Sequence, residues 1–84
     1  MSYGLSILRR AQKELEQLPT DLYGRVRDVI RSLSGQPRPP GCLKLTDREA
    51  WRIRVGDYRV VYEIDDERRQ VTVIHVGHRR DVYR

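Results

Sequence analysis

The sequence contains very little cysteine and histidine, and it has no long apolar run. Cys42 is the single cysteine, which excludes an internal disulfide and a cysteine-rich metal site. His75 and His78 have no companion ligands at a convincing spacing. No apolar run approaches the roughly 18 residues of a membrane span, and residues 1–10 lack a signal-peptide core. We therefore predict a cytoplasmic, reduced protein with no membrane contact, no metal and no cofactor.

Lysine is scarce as well, because arginine supplies almost all of the positive charge. Of the 17 basic residues, lysine accounts only for Lys13 and Lys44, and the formal net charge is +5. A guanidinium group binds phosphate through two parallel hydrogen bonds and stacks on bases. A genome rich in G and C produces the same bias. Composition therefore leaves two explanations open, nucleic-acid binding and codon usage.

The length predicts one domain covering residues 1–84. Because 35% of the residues are charged and 38% are hydrophobic, the core must be thin, with helices on one side of a sheet.

In residues 3–8 the side chains alternate in the way that is typical of a strand, and we predict an edge strand there. Two apolar stripes at helical spacing follow, separated by Pro19. Their members are Leu8, Ala11, Leu15 and Leu18, then Leu22, Val26, Val29, Ile30 and Leu33.

Beyond a loop rich in proline and glycine at residues 34–41, the apolar period changes to two. Leu43 and Leu45 come first, followed by strands predicted at residues 51–55, 58–64 and 71–76. The order strand–helix–helix–strand–strand–strand predicts an α+β fold. In this fold an N-terminal strand and a helical hairpin pack on one face of a twisted, mainly antiparallel sheet. The other face has no helix to cover it.

Gly56 and Asp57 predict a two-residue hairpin turn that places Arg54 opposite Arg59. Alternation then directs three arginines to the uncovered face, together with Val61 and Glu63. These arginines are Arg52, Arg54 and Arg59. Like charges opposite each other cost up to about 1 kcal/mol, which indicates a face that binds an anion such as phosphate. The alternative is that long side chains separate into solvent, where salt screens their repulsion.

The C-terminal segment adds more basic and aromatic residues. If the last strand lies antiparallel to residues 58–64, the segment leaves the sheet near Arg59. Arg79 and Arg80 can then reach the same face. Tyr83 provides a ring on which a base can stack, or it anchors the chain end to the core.

The run KLTDREAWRIRVGDYRVVYEIDD at residues 44–66, followed by VIHVGHRRDVYR at residues 73–84, resembles the RelE branch of the RelE/ParE toxin superfamily. The strand–turn–strand pattern is shared across the superfamily, and the ending VGHRRDVYR is the better marker of the RelE branch. The first half of the chain matches the superfamily in the order of its predicted elements. The resemblance implies a RelE-like fold and the toxic half of a toxin–antitoxin pair.

The resemblance also implies a reaction. Toxins of the RelE branch cut mRNA in the ribosomal A site, using the RNA 2′-hydroxyl as nucleophile on the adjacent phosphate. The products are a cyclic phosphate and a free 5′-hydroxyl, and no metal is needed. The protein supplies positioning, positive charge for the transition state and proton transfer.

Carried over from the family, the two basic residues of the first hairpin strand fall at Arg52 and Arg54. The phosphate-binding arginine falls at Arg59, the arginine on the leaving-group side at Arg79, and the substrate-packing tyrosine at Tyr83. Arg80 joins them in the predicted RNA-binding set.

This chain departs from the family pattern at Arg52 and Arg54, where well-studied members carry lysines and one lysine is a proposed general base. A guanidinium group does not give up its proton in proteins, so Arg54 is a poor base. Either Arg54 orients and activates the 2′-hydroxyl, or the imidazole of His78 takes the proton. His78 also fits an ordinary loop histidine. His75 is predicted to be structural, and Glu49 is a further candidate base.

Two rival functions stay open. One is a ParE-like toxin that inhibits DNA gyrase, although Arg59, Arg79 and Tyr83 argue against it. The other is a basic module that occupies the ribosome or RNA without cleaving it.

The implied partner is an acidic, partly disordered antitoxin that folds on binding to an apolar groove and a basic face. Operator DNA is expected to be contacted only through the antitoxin.

Overall fold

The computed structural model describes residues 2–78, and within them the predicted α+β fold is confirmed. The elements in chain order are β1 (Gly4–Ile7), α1 (Arg9–Glu16), α2 (Thr20–Ser32), β2 (Leu43–Lys44), β3 (Trp51–Val55), β4 (Tyr58–Asp65) and β5 (Gln70–His78). The two-residue strand β2 is an addition to the predicted order. Neither of the helices in this part of the chain has the length and apolar character needed to cross a membrane.

The strands form one mixed sheet in the order β1-β5-β4-β3-β2. β1 runs parallel to β5, while the other neighbouring pairs are antiparallel. The first strand therefore pairs with the last, and its pairing spans residues 70–73 only. The C-terminal half of β5 extends beyond β1.

The two helices are separated where proline cannot continue a helix, because it has no backbone N–H to donate. α1 ends at Glu16, and Pro19 is the residue that precedes the first turn of α2. The carbonyl of Pro19 accepts a hydrogen bond from the Tyr23 N–H at 2.8 Å. Asp21 lies in the first turn of α2, where a negative charge complements the helix dipole.

The core lies between the helical hairpin and one face of the sheet. It joins the two helical stripes to alternate residues of β3, β4 and β5. Its buried members are Ala11, Leu15, Val26, Ile30, Leu33, Val55, Val60, Tyr62, Val71, Val73 and Val76. Val55, Val60 and Tyr62 therefore face the helices, on the side of the sheet opposite the one predicted for the three arginines.

A β-bulge interrupts the alternation of β5. Val61 is in register with His75, but Tyr62 is in register with Val73, so Ile74 is an extra residue. A strict period of two from Val71 would direct His75 into the core. The bulge instead places Val76 in the core and turns His75 away from it.

One sequence expectation about the surface needs correction. The sheet face opposite the helices is not wholly open, since Val61 on that face is only 4% exposed. The large hydrophobic residues that are exposed in residues 2–78 are Leu8, which follows β1, and Leu43 in β2, and these strands are at opposite edges of the sheet.

Candidate nucleic-acid interface

The β3–β4 hairpin has the predicted register. Its turn contains Gly56, whose φ of 61° lies in the left-handed region that favours glycine. Arg54 pairs with Arg59, and Arg52 pairs with Val61. Because directly paired residues project to the same side of a sheet, the three arginines share the side opposite the helices.

We call this side of the hairpin, defined by Arg52, Arg54 and Arg59, the arginine face. Arg54 is exposed, whereas Arg52 and Arg59 are half-buried. Within residues 2–78, Arg52 and Arg54 make no hydrogen bond or ion pair. Two of the Arg59 nitrogens, Nε and Nη1, are shielded from solvent, so Arg59 is set deeper than Arg54.

The nearby carboxylates pair with basic residues outside the arginine face. Glu63, which was predicted to share the uncovered face with the arginines, lies 3.9 Å from the Nη2 atom of Arg48. Glu49, the weaker candidate base, lies 3.1 Å from the Nζ atom of Lys44. Both pairs are well exposed and contribute little to stability. The positive charge of Arg52 and Arg54 is therefore available to a ligand.

The structure separates His78 from the arginine face. His78 is in register with Tyr58, and Tyr58 is in register with the core residue Val55. The His78 side chain therefore belongs to the helix side of the sheet, with its ring 5.5 Å from the Tyr58 ring in an edge-on arrangement. Arg54 and Arg59 project from the opposite side, so no direct pairing of His78 with Arg54 is seen.

Sequence reasoning missed one acid–base pair, formed by Glu14 and His75. The Nδ1 atom of His75 lies 2.8 Å from the Oε1 atom of Glu14 and 2.7 Å from Oε2. The two residues are 61 positions apart, and no local pattern connects them.

The end of β5 lies where the sequence predicted it. Gly77 is in register with Arg59, so the strand ends beside the arginine face. The predicted site residues Arg79, Arg80 and Tyr83 lie outside the described residues. Within residues 2–78, no group of three or more His, Cys, Asp or Glu side chains is arranged to hold a metal ion.

A family model described as the ParE toxin of type II toxin–antitoxin systems, parDE, matches residues 5–83. The chain belongs to the RelE/ParE toxin superfamily. This match spans nearly the whole sequence and confirms the resemblance first seen in the hairpin and the C-terminal motif.

Two toxins of Mycobacterium tuberculosis are similar to this RelE/ParE toxin. Toxin RelG is 34% identical over 88 aligned positions, which cover 100% of this chain and 99% of the relative. Toxin RelE is 36% identical over 84 positions, which cover 98% of this chain and 87% of the relative. These names place the chain among toxins of RelE type.

Among solved structures, the archaeal RelE–RelB complex from Pyrococcus horikoshii contains a chain similar to this toxin, with a TM-score of 0.85. The identity is 26%, and the match covers 98% of this chain and 100% of that chain. The predicted RelE-like fold is thereby confirmed.

Proposed function

We propose that this RelE-type toxin is a ribosome-dependent endoribonuclease that cleaves mRNA in the ribosomal A site. The observation that carries the proposal is the arginine face. Arg54 lies directly opposite Arg59, Arg52 shares their side of the sheet, and two of the three have no counterion in residues 2–78. Such a face is suited to the phosphates of a polynucleotide backbone.

The proposed reaction uses the RNA 2′-hydroxyl as nucleophile on the adjacent phosphate. The O2′–P bond forms as the P–O5′ bond breaks, leaving a 2′,3′-cyclic phosphate and a free 5′-hydroxyl. Arg59 binds the reacting phosphate, and Arg52 and Arg54 stabilise the charge that develops on it. The requirement for a 2′-hydroxyl makes the reaction selective for RNA without any reading of bases.

Arg54 acts by orientation and charge rather than as a base. Its guanidinium remains protonated at physiological pH, and its exposed position leaves it free to contact the ribose and phosphate. A histidine is a better proton acceptor near neutral pH. His78 stays a candidate that mutation can test, although it projects from the other side of the sheet.

The C-terminal residues complete the proposal. Arg79 is assigned to the leaving-group side, Arg80 to phosphate binding, and Tyr83 to packing on the substrate. Support comes from the position of Gly77 and His78, the last described residues of β5, beside Arg59 and Tyr58.

We also propose an acidic, partly disordered antitoxin as the partner of this toxin. The similar RelE of Pyrococcus horikoshii was solved as a complex with RelB, and the formal net charge of +5 favours an acidic ligand. Operator DNA is contacted through the antitoxin in this proposal.

The test is to incubate the toxin with translating ribosomes and to map the ends of the mRNA. We expect cuts in the A-site codon that leave a cyclic phosphate. Arg59→Ala and Arg79→Ala should each lower the cleavage rate by about 100-fold or more while antitoxin binding is retained. Arg54→Ala and His78→Ala are run alongside. Arg68→Ala, in the β4–β5 turn, is the matched control and should cleave normally.

Each rival function predicts a different result. Stalled ribosomes carrying intact mRNA would indicate a basic module without nuclease activity. Lesions on DNA with intact translation would indicate a gyrase inhibitor. Normal cleavage by both Arg59→Ala and Arg79→Ala would remove these residues from the active site.

A further inference from the structure

Leu43 is an exposed apolar residue beside the arginine face. It lies in β2, the strand at one edge of the sheet, and it is 53% exposed. Within residues 2–78, the other large hydrophobic residue exposed to a similar extent is Leu8, at 47%, next to the opposite edge of the sheet. Single exposed leucines are common on protein surfaces, so the position of Leu43 matters more than its exposure.

The sheet register places the Leu43 side chain next to Arg52. The two residues are directly paired across β2 and β3, so their side chains project to the same side, with Cβ atoms about 4.5–5.5 Å apart. Arg54 is the diagonal neighbour of Leu43, at about 7–8 Å. Lys44, the other residue of β2, is paired with Trp51, which packs against the core from the helix side. Leu43 therefore lies on the same side of the sheet as the arginine face, at its outer edge.

This combination of side chains matches the two chemical parts of a nucleotide. A guanidinium group binds phosphate, and Arg52 and Arg54 make no hydrogen bond or ion pair within residues 2–78. A base presents flat faces that are accessible in single-stranded RNA and available for stacking. Leu43 can cover such a face and remove apolar area from water. Because its side chain has no hydrogen-bonding group, the contact does not read the edge of the base.

We propose that Leu43 packs against an unstacked base of single-stranded RNA whose phosphate is bound by Arg52. The contact rests on the proposed function, because it requires that the arginine face binds the RNA backbone. A polynucleotide carries a base next to every phosphate, so it supplies both groups at adjacent positions. Leu43 is then a positioning residue that favours unpaired RNA over duplex RNA without selecting a base sequence.

The experiment measures the binding of two single-stranded probes to the full chain at a series of salt concentrations. One probe is a short RNA oligomer, and the other is an oligomer of the same length made of abasic ribonucleotides. The variants are Leu43→Thr, Leu43→Tyr and the matched control Leu8→Thr. Threonine keeps the β propensity of β2 and is accepted at the N-cap of α1, the position of Leu8. Thermal unfolding of each variant shows whether the fold is kept.

The expected results depend on the base and not on the charge. Leu43→Thr should weaken binding of the RNA probe about 5-fold and leave binding of the abasic probe unchanged. The slope of log K against log salt should keep its parental value, since an apolar contact releases no counterions. Leu43→Tyr should tighten binding of the RNA probe about 5-fold by stacking, an increase that a folding defect cannot produce. Leu8→Thr should match the parent with both probes.

The outcomes separate the role of Leu43 from the proposed function. If Arg52→Gln lowers the salt slope by about 0.7 but both Leu43 variants bind the RNA probe like the parent, the role of Leu43 is overturned and that of the arginine face stands. Equal weakening of both probes by Leu43→Thr would also overturn it, because the base would not be involved. If the parent binds RNA as expected but leaves mRNA intact on ribosomes, the nuclease function is wrong and the Leu43 contact stands. If the parent does neither, both proposals are wrong.

Two further measurements test other occupants of this surface. Light scattering of the free toxin shows whether Leu43→Thr converts a dimer into a monomer, which would assign Leu43 to a contact between copies. A synthetic peptide that alternates glutamate and leucine represents an acidic protein segment. Weaker binding of this peptide by Leu43→Thr, or loss of a dimer, combined with unchanged binding of the RNA probe would overturn the proposed base contact.

Discussion

At the residue scale, Asp66 connects three distant parts of the chain. Its Oδ1 atom accepts a hydrogen bond from the Tyr3 hydroxyl at 2.7 Å. The Arg38 guanidinium donates to Oδ1 at 3.2 Å and to Oδ2 at 2.9 Å, and its Cζ atom lies 5.1 Å from the centre of the Trp51 ring. Asp66 therefore fastens the loop at residues 34–41 and the N-terminal segment to the end of β4.

The Asp66 contacts predict a loss of stability in acid. The Arg38 guanidinium, and then the Tyr3 hydroxyl, lower the pKa of Asp66 below its ordinary value. A carboxyl group with a lowered pKa stabilises the folded state above its unfolded pKa of about 3.9. This contribution disappears as the pH falls through the lower, folded-state pKa. Below pH 4 the melting temperature of the parent should therefore fall more steeply than that of Asp66→Asn.

Calorimetry from pH 2 to pH 7 checks this expectation, with Glu67→Gln in the same turn as the control. Asp66→Asn should be less stable than the parent at pH 7, and the difference should shrink in acid. A constant difference between the two proteins across the range would show that ionisation of Asp66 does not contribute.

At the element scale, the β3–β4 hairpin sets the positions of Arg52, Arg54 and Arg59. A shift of one residue in its register would move all three to the helix side. The two-residue turn maintains that register, and it depends on the left-handed backbone of Gly56. The catalytic geometry proposed here is thus a property of the hairpin as much as of its arginines.

Two glycine-to-alanine substitutions test this dependence. A methyl group at Gly56 meets nothing closer than Arg25 Nη1 at 4.0 Å, so its cost is conformational, about 1–2 kcal/mol of unfolding free energy. Gly24 lies inside α2 with nothing within 4 Å of an added methyl group. Gly24→Ala should therefore raise the unfolding free energy by up to about 1 kcal/mol. Urea unfolding measures the free energy of unfolding of both variants. If Gly56→Ala and Gly24→Ala changed it by the same amount in the same direction, the left-handed backbone of Gly56 would not be what the turn depends on.

At the scale of the whole molecule, the arginine face acts together with a net charge of +5. Attraction of a basic protein to RNA comes largely from the release of counterions, so it weakens as salt is added. An arginine that contacts a phosphate contributes to the salt dependence, whereas one that points elsewhere does not.

Binding of single-stranded RNA at a series of salt concentrations should therefore distinguish the arginines. Arg52→Gln is expected to reduce the slope of log K against log salt by about 0.7. Arg68→Gln, which removes an exposed arginine of the β4–β5 turn near Asp65, should leave the slope unchanged. Identical slopes for the two variants would mean that Arg52 makes no specific phosphate contact and contributes only to the overall positive charge.

Much of this architecture could be predicted from local patterns. The period of the apolar residues identified two helices and the strands, Pro19 separated the helices, and Gly56 with Asp57 defined the hairpin. Because side chains alternate strictly across a hairpin with a two-residue turn, the pairing of Arg54 with Arg59 followed directly. The C-terminal motif and the hairpin also sufficed to indicate the toxin superfamily.

The sequence by itself determined the helical hairpin, the arginine face and the family, because each depends on neighbours close in the chain. Only the tertiary structure decided the surroundings of the two histidines. The bulge at Ile74 inverts the alternation that would have buried His75, and the register with Tyr58 directs His78 to the helix side. The parallel β1–β5 pairing stops at Val73, which leaves an edge that Glu14 covers from α1. Contacts between residues 61 positions apart arise from packing, and no local period encodes them.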